Sequence, residues 1–348
     1  MQLILRQFDL PLKRVFTIAR GSMDVYRALV VELRQDGRRG FGETGESSYY
    51  GASLAGLTSL LERLRPRLES QRLEEPQRLW EELDAELSTC RFAQCALDAA
   101  AHDLWGKLRQ KPVWKLWGLS LDNLPPSDYT IGISPMDVRL RQAADFAGWP
   151  VYKIKLGRAD DLEVVRRLRR QTGARLRVDA NGAWGVEETL RNSRVLAGLG
   201  VEFIEQPLPP DDWDGMQAVY RQSALPLVAD ESCRDESDVD RCGSCFHGIN
   251  IKLVKCGGLT PARRMIARAR QLGLKVMVGC MVESTVGISA IAQLLPLLDY
   301  VDMDGPLLLA RDIASGVKVE RGRVLFPEEH GCGVRLLPEA EEGGERSP

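Results

Sequence analysis

Three carboxylates recur at almost equal intervals in this chain. Asp179 closes the run Leu-Arg-Val-Asp, Glu205 closes Phe-Ile-Glu and Asp230 closes Leu-Val-Ala-Asp, at separations of 26 and 25 residues. The interval suits one strand, one helix and their turns, so each acid would end one of three successive parallel strands. Adjacent strands lie about 4.8 Å apart, which lets the three side chains converge at one end of the sheet. Three uncompensated carboxylates at that spacing repel one another. A divalent cation relieves the repulsion, and an all-oxygen donor set with room for water or substrate suits Mg²⁺. Asn181 and Glu231 could serve as auxiliary ligands or hold the ligands in place. The competing reading makes each acid a helix cap or the partner of a surface arginine, which explains one such acid better than three in phase.

Lysines flank the acids. Lys153 and Lys155, in Val-Tyr-Lys-Ile-Lys, precede the three acidic strands and share one strand face. Lys252, in Ile-Asn-Ile-Lys, lies on the strand that follows them. In a closed barrel these strands approach the centre from opposite sides, so Lys155 and Lys252 would face each other across a bound substrate. The chemistry this suits is removal of a proton from carbon beside a carboxylate, a very weak acid. Holding the carboxylate on Mg²⁺ would stabilise the enediolate that forms. The base must be neutral, and a nearby cation or second ammonium lowers a lysine from its reference of about 10.4. Lys153 is placed to supply that second charge. A purely structural network of three lysines and three acids is the competing reading. Asp302 and Asp304, in Asp-Met-Asp, also share a face and would grip a cationic group; otherwise they are solvated acids in the turn before Gly305-Pro306.

The elements that would position these residues fall into zones. Residues 1–124 open with strand-like runs at Leu3–Phe8, Val15–Ala19, Arg27–Leu33 and Phe41–Glu43, followed by helical patterns at Ala52–Arg65, Pro76–Leu87 and Phe92–Leu108. Strands followed by helices suggest a small α+β domain. Residues 125–312 carry eight short apolar runs, at Tyr129–Ile133, Val151–Leu156, Leu176–Val178, Val201–Ile204, Leu227–Ala229, Ile249–Leu253, Lys275–Val278 and Tyr300–Met303. Helix-like stretches such as Asp161–Gln171, Val186–Leu199 and Pro261–Leu272 alternate with them. This is the beat of an α/β protein with a (β/α)₈ TIM-type barrel. A doubly wound open sheet competes, but its Gly-x-Gly-x-x-Gly loop is missing. Residues 313–338 would form a hairpin around Glu320–Gly322 and return to the first domain. Residues 339–348, acidic and Gly-rich, read as a disordered tail.

Composition excludes several other classes. A formal net charge of −2 over 348 residues gives no basic footprint for nucleic acid. The N-terminal residues lack the build of a signal peptide, and no apolar run reaches the length of a membrane span, so a cytoplasmic protein is expected. Eight scattered cysteines do not form a disulfide framework in a chain this long. Cys242-Gly-Ser-Cys245 has half the spacing of a zinc site, with no second pair.

The pieces Lys153-Ile-Lys155, Asp179-Ala-Asn181, Glu205-Gln-Pro207, Asp230-Glu-Ser232 and Asn250-Ile-Lys252 through Gly258 resemble the enolase superfamily in its mandelate racemase/muconate lactonizing branch. Order and spacing match over nearly the whole chain. The resemblance implies an N-terminal α+β capping domain closed over a modified barrel, the C-terminal piece packing back on the cap, Mg²⁺ as cofactor, and often a homo-oligomer. Members with a His–Asp pair on late strands are a poor match. His102, His247 and His330 do not end a late strand, where Gly279-Cys280 stands instead. Asp302-Met-Asp304 looks like the motif by which dipeptide epimerases bind a dipeptide's free α-ammonium. That implies a two-base 1,1-proton transfer. The substrate's C-terminal carboxylate would sit on the metal held by Asp179, Glu205 and Asp230. Lys155 and Lys252 would act on opposite faces of the α-carbon of L,L-dipeptides. The Asn250-Ile-Lys252 match selects Lys252 over Lys255; a register slip of three would exchange them.

Thr130 and Ile131 resemble a family segment that touches the substrate backbone. Arg20 would suit an acidic second residue, as in L-Ala-L-Glu. The acidic and aromatic segment Glu43–Tyr50 would suit cationic or hydrophobic ones. Glu283, in Glu-Ser-Thr after the seventh strand, is a further substrate contact in this reading. An N-acylamino-acid racemase or o-succinylbenzoate synthase would share the lysines and metal acids without needing Asp302 and Asp304. A non-catalytic metal-binding scaffold would have no use for both Lys155 and Lys252.

Overall fold

The computed structural model describes residues 1–343. Strands β1 (Gln2–Ile18), β2 (Gly21–Gln35) and β3 (Arg38–Gly45) form an antiparallel sheet in that order. The first two strand-like runs are a single strand, because β1 pairs along β2 with a register shift between Pro11 and Phe16 that carries it through Lys13 and Arg14. Helices α1 (Leu54–Glu69), α2 (Pro76–Leu87) and α3 (Arg91–Leu108) follow. The Ser53 side chain caps α1 by accepting from the Gly56 N–H, and proline opens α2.

Helix α3 is buried without interruption from Phe92 to Gly106, because it packs on the three-stranded sheet and also supports the barrel. Its alanines let β3 come close. A Cβ at Gly42 would stand 2.0 Å from the Ala96 carbonyl oxygen and 2.5 Å from the Ala100 nitrogen. Gly42→Ala is therefore expected to cost about 1–3 kcal/mol through overpacking. Thermal unfolding measures it, and an unchanged Tm would rule out this close approach.

Eight parallel strands follow: β4 (Tyr129–Ile131), β5 (Val151–Lys155), β6 (Arg175–Asp179), β7 (Val201–Glu205), β8 (Leu227–Ala229), β9 (Gly248–Ile251), β10 (Lys275–Gly279) and β11 (Tyr300–Asp302). Each pairs with the next. The first and last come together where Ser127 bridges Val301 in parallel and the Asp128 N–H donates to the Val301 carbonyl at 3.3 Å. The sheet is thus a nearly closed barrel with an N-terminal antiparallel-sheet domain, and the open doubly wound alternative is set aside. Every expected run is a strand, with ends shifted by up to two residues. Helices such as Asp161–Gln171, Val186–Gly198 and Leu259–Gln271 separate them.

Inside the ring, Phe203, Val228 and Met277 make an apolar plug against Tyr300. Two residues further along β7, Glu205 begins a polar layer that opens toward the strands' C-terminal ends, where barrels of this kind carry their sites.

The C-terminal segment contains β12 (Ala314–Ser315) paired with β15 (Arg335–Leu336), and the hairpin β13 (Lys318–Glu320) and β14 (Arg323–Leu325). Arg321 and Gly322 both have positive φ, as a two-residue hairpin turn requires. The chain returns to α3, where the Cys332 N–H donates to Asp103 at 2.7 Å and the Lys107 ammonium to the Val334 carbonyl at 2.8 Å. The expectation of a disordered tail needs correction. Pro338–Gly343 is a short helix, with the Glu341 carbonyl accepting from Arg6 at 3.1 Å and its carboxylate pairing with Arg39 at 2.8 Å. Composition had registered the acids but not the basic partners on β1 and β3. Residues 344–348 of that tail lie outside the described residues. Among the described residues no helix is long and apolar enough to cross a membrane, and Cys242 and Cys245 are free, buried thiols.

Candidate active site

The three acids meet. Asp179, Glu205 and Asp230 are buried, and each offers a carboxylate oxygen within 4.8 Å of the others'. A register irregularity brings the first two level. Leu176 pairs with Val201, but Val178 pairs with Ile204, so one extra residue in β7 sets Asp179 opposite Glu205 rather than Ile204. Gln206 then fixes the third acid. Its Oε1 accepts from the Asp230 and Ser232 N–H groups at 3.1 and 3.0 Å, and its Nε2 donates to the Ser232 hydroxyl at 2.9 Å. Asn181 and Gln206, each just past an acid, both have positive φ, a conformation uncommon outside glycine.

Electrostatics separates the three. Burial pushes all of them up. Lys155 and Lys153 outweigh it at Asp179, which falls to about 2. Lys252 and Lys255 hold Asp230 well below the carboxylate range. At Glu205, burial and the neighbouring Asp179 win, raising it to about 7. An all-carboxylate triad with converging oxygens fits a hard divalent cation such as Mg²⁺. The Asn181 N–H donates to Asp179 at 2.9 Å and its Nδ2 to Glu231 at 3.1 Å, leaving Asn181 Oδ1 and Glu231 Oε2 unpartnered.

The lysines divide by position. Lys155 donates to Asp179 at 2.6 Å and lines the cavity above. Lys252 stands 3.3 Å from Asp230 on the other side and lines the same cavity. Lys255 does not: its ammonium is buried under Asp230, donating to Oδ1 at 2.6 Å and to the Cys233 carbonyl at 2.9 Å. Of the two, Lys252 and not Lys255 faces the cavity. Lys153 lies beneath, fully buried, donating to Glu205 at 3.0 Å and to Asp302 at 3.2 Å. Burial would lower Lys153, but Glu205, Asp302 and Asp179 outweigh it and hold the ammonium well above the usual range. Asp230 does the same for Lys252 against its burial.

The cavity measures about 890 Å³ and runs between the barrel mouth and the N-terminal domain. Asp302, Asp304 and Thr130 line it together with the two lysines. The Thr130 N–H donates to Asp304 Oδ2 at 2.5 Å. Burial and Asp302 push Asp304 up to about 8, whereas at Asp302 the three lysines outweigh burial and lower it. Arg20 reaches down from the β1–β2 turn, donating to the Asn181 carbonyl at 3.1 Å, pairing with Glu231 and lying 4.3 Å over the Tyr49 ring. Glu283 is not brought into the cavity. Its Oε1 accepts from the Met281 N–H at 3.0 Å, and a Cβ at Gly287 of the following helix would stand 2.3 Å from its Oε2.

Sequence reasoning gave no role to Gln206 or to Asn250, whose Nδ2 donates to Glu205 at 2.8 Å. Asn250 shares the strand face of Lys252, two residues on, and that periodicity was the available signal. Gln206 carried no such signal, because its side chain acts from a strained turn rather than from a strand.

A barrel that ends successive strands in three converging buried acids flanked by lysines, roofed by an antiparallel domain, defines the class of enolase-type barrel enzymes. Residues 136–340 match the family described as Enolase C-terminal domain-like, and residues 2–118 match the Mandelate racemase / muconate lactonizing enzyme, N-terminal domain. The chain belongs to the mandelate racemase/muconate lactonizing enzyme family of the enolase superfamily. It is similar to the L-Ala-D/L-amino acid epimerase of Flavobacterium johnsoniae, with 50% identity over 337 residues covering 97% of this chain and 100% of that one. Among solved structures it is similar to a dipeptide epimerase from Cytophaga hutchinsonii complexed with Mg and the dipeptide D-Ala-L-Val. That match has a TM-score of 0.93 and 25% identity over 99% of this chain and 98% of the other. An N-succinyl Arg/Lys racemase from Bacillus cereus matches with a TM-score of 0.90 and 26% identity over 100% and 99%.

Proposed function

We propose that this chain is a Mg²⁺-dependent dipeptide epimerase that inverts the α-carbon of the C-terminal residue of L,L-dipeptides. The observation that carries the reading is the placement of Asp302 and Asp304 beside Thr130, in the same cavity that Lys155 and Lys252 line. Two carboxylates there suit a substrate ammonium, with the acids that would hold Mg²⁺ beyond the lysines.

In this reading Asp179, Glu205 and Asp230 hold the metal. Bound there, Mg²⁺ supplies positive charge opposite the substrate carboxylate and relieves the pull of the acids on the flanking ammoniums. Lys155 or Lys252 removes the α-proton, and the other, initially protonated, returns one to the opposite face. Lys153, held as an ammonium, keeps positive charge beneath the reacting carboxylate and anchors Asp302. Asp302 and Asp304 bind the free α-ammonium, and the Thr130 backbone orients Asp304. Arg20 shares its charge with Glu231, and Tyr49, Tyr50, Met23 and Asp24 are among the residues of the cap that line the cavity. This supports neutral or cationic second residues over acidic ones. The reading includes a cytoplasmic homo-oligomer, which light scattering of the purified chain would check for assembly.

The test is mass-spectrometric deuterium uptake in D₂O with Mg²⁺ across a library of L,L-dipeptides. One deuterium at the C-terminal residue's α-carbon is expected. Exchange only with N-succinyl amino acids would replace the reading with an N-acylamino-acid racemase, the alternative that the similarity to the Bacillus cereus racemase favours. No exchange with any such compound would leave the metal-binding scaffold. A second result should separate the first two. Asp302→Asn is expected to lower kcat/KM by about tenfold or more for free dipeptides, through loss of a charge-assisted bond, and far less for N-acylated ones. An equal loss for both would remove the ammonium-binding role.

A further inference from the structure

Glu43 belongs to β3 in the N-terminal sheet, yet its carboxylate is buried against the barrel. Oε1 accepts from the Ser284 N–H at 3.0 Å and Oε2 from the Gly287 N–H at 2.9 Å, and the Ser284 hydroxyl also donates to Oε2. Ser284 is itself the N-cap of the helix Thr285–Ala292, its oxygen accepting from the Val286 N–H. One cap-domain carboxylate thus completes the N-terminal hydrogen bonding of a barrel helix, a position where backbone donors and the helix dipole favour negative charge. Burial and the facing Glu283 push Glu43 up to about 8, so the three donors work against a substantial cost.

What this carboxylate grips leads to the cavity. Glu283 adjoins Ser284, and its Oε1 accepts from the Met281 N–H at 3.0 Å. Met281 Sδ lies 3.9 Å from the Lys252 ammonium. The same segment supports the acidic end, since a Cβ at Gly305, next to Asp304, would stand 2.6 Å from the Glu283 carbonyl oxygen. No corresponding contact from Glu43 leads to Lys155, which is held through Asp179.

We propose that Glu43 is a positioning residue: from the cap domain it sets the Met281–Ser284 segment and, through Met281, the placement of Lys252 but not of Lys155. The inference rests on the two-lysine reading above. Its signature is an asymmetry between epimers that general loosening would not produce.

The experiment uses Glu43→Gln with Mg²⁺ in D₂O, starting separately from each epimer of a dipeptide that the unaltered enzyme inverts. NMR follows deuterium in recovered substrate and in inverted product. Lys252→Ala, run alongside, identifies the epimer deprotonated by Lys155. The expected result is a kcat lowered by about tenfold, the scale of a small misplacement of a reacting group, with KM little changed. For the epimer that Lys155 deprotonates, deuterium enters recovered substrate ahead of inversion, because Lys252 delivers its proton late. For the other epimer this ratio falls, because return to the recovered substrate then depends on Lys252 while Lys155 still delivers to the opposite face.

An unchanged ratio from both epimers, or no loss, would overturn the positioning role alone. Absence of dipeptide exchange in the unaltered enzyme would overturn the reading beneath it. Should Glu43→Gln fail to fold, Met281→Ala, at a half-buried site lining the cavity, must show the same asymmetry or the proposal falls.

Discussion

Lys155→Ala and Lys252→Ala should each abolish inversion, with losses of about 10²–10⁴-fold, the range supplied by a positioned proton-transfer group. The two variants should not fail identically. Each retains one of two bases on opposite sides of the cavity, so each is expected to exchange the α-proton of one epimer only, without converting it to the other. The geometry behind this is the division among the lysines. Lys155 and Lys252 reach the cavity from β5 and from the end of β9, whereas Lys153 and Lys255 spend their ammoniums on buried acceptors. Lys255→Ala should consequently act on Asp230 and on stability, not on the choice of epimer. Deuterium exchange followed separately from each epimer is the measurement. Full inversion in either the Lys155 or the Lys252 variant would end the two-base scheme.

Removing the divalent cation should be as severe. With a chelator, both exchange and inversion are expected to fall on the order of a thousandfold or more, as when a main source of transition-state charge stabilisation is lost, and Mg²⁺ should restore them. The acids also predict a stability readout independent of catalysis. Asp179, Glu205 and Asp230 converge only in the folded chain, so Mg²⁺ at a hundred times its Kd should stabilise by about 2.7 kcal/mol. Asp230→Asn should reduce that shift, since it removes one of three ligand charges and also loosens Lys255. Undiminished activity in chelator, with no Mg²⁺-dependent change in Tm, would refute the metal role of this triad.

Both predictions use residues whose strand positions were legible in the sequence, because that part of the information is local. A strand ends where its apolar run ends, so Asp179, Glu205 and Asp230 and the lysines of β5 and β9 could be set at strand ends from spacing alone. Hairpin chemistry at Arg321-Gly322 was local in the same way. The merging of two strand runs into β1 was not, because it depends on what β2 offers across the sheet.

What the tertiary structure decided depends on partners far away in the chain. Closure of the barrel rests on Ser127 meeting Val301. The level pairing of Asp179 with Glu205 rests on an extra residue in β7, and a pattern of period two cannot show which pair of strands takes up such a slip. The orientation of Lys252 toward the cavity and of Lys255 beneath Asp230 follows from the turn after β9. Arg20 turns to Glu231, and Glu283 folds back onto the Met281 N–H, because buried polar groups go to the nearest group that satisfies them. Glu43 meets Ser284 across 241 residues. Composition and periodicity thus determined the elements and the chemical types at their ends. Which of those groups face the cavity, and which are held beneath it, was decided by long-range pairing, since a buried polar group is placed by the partner that satisfies it.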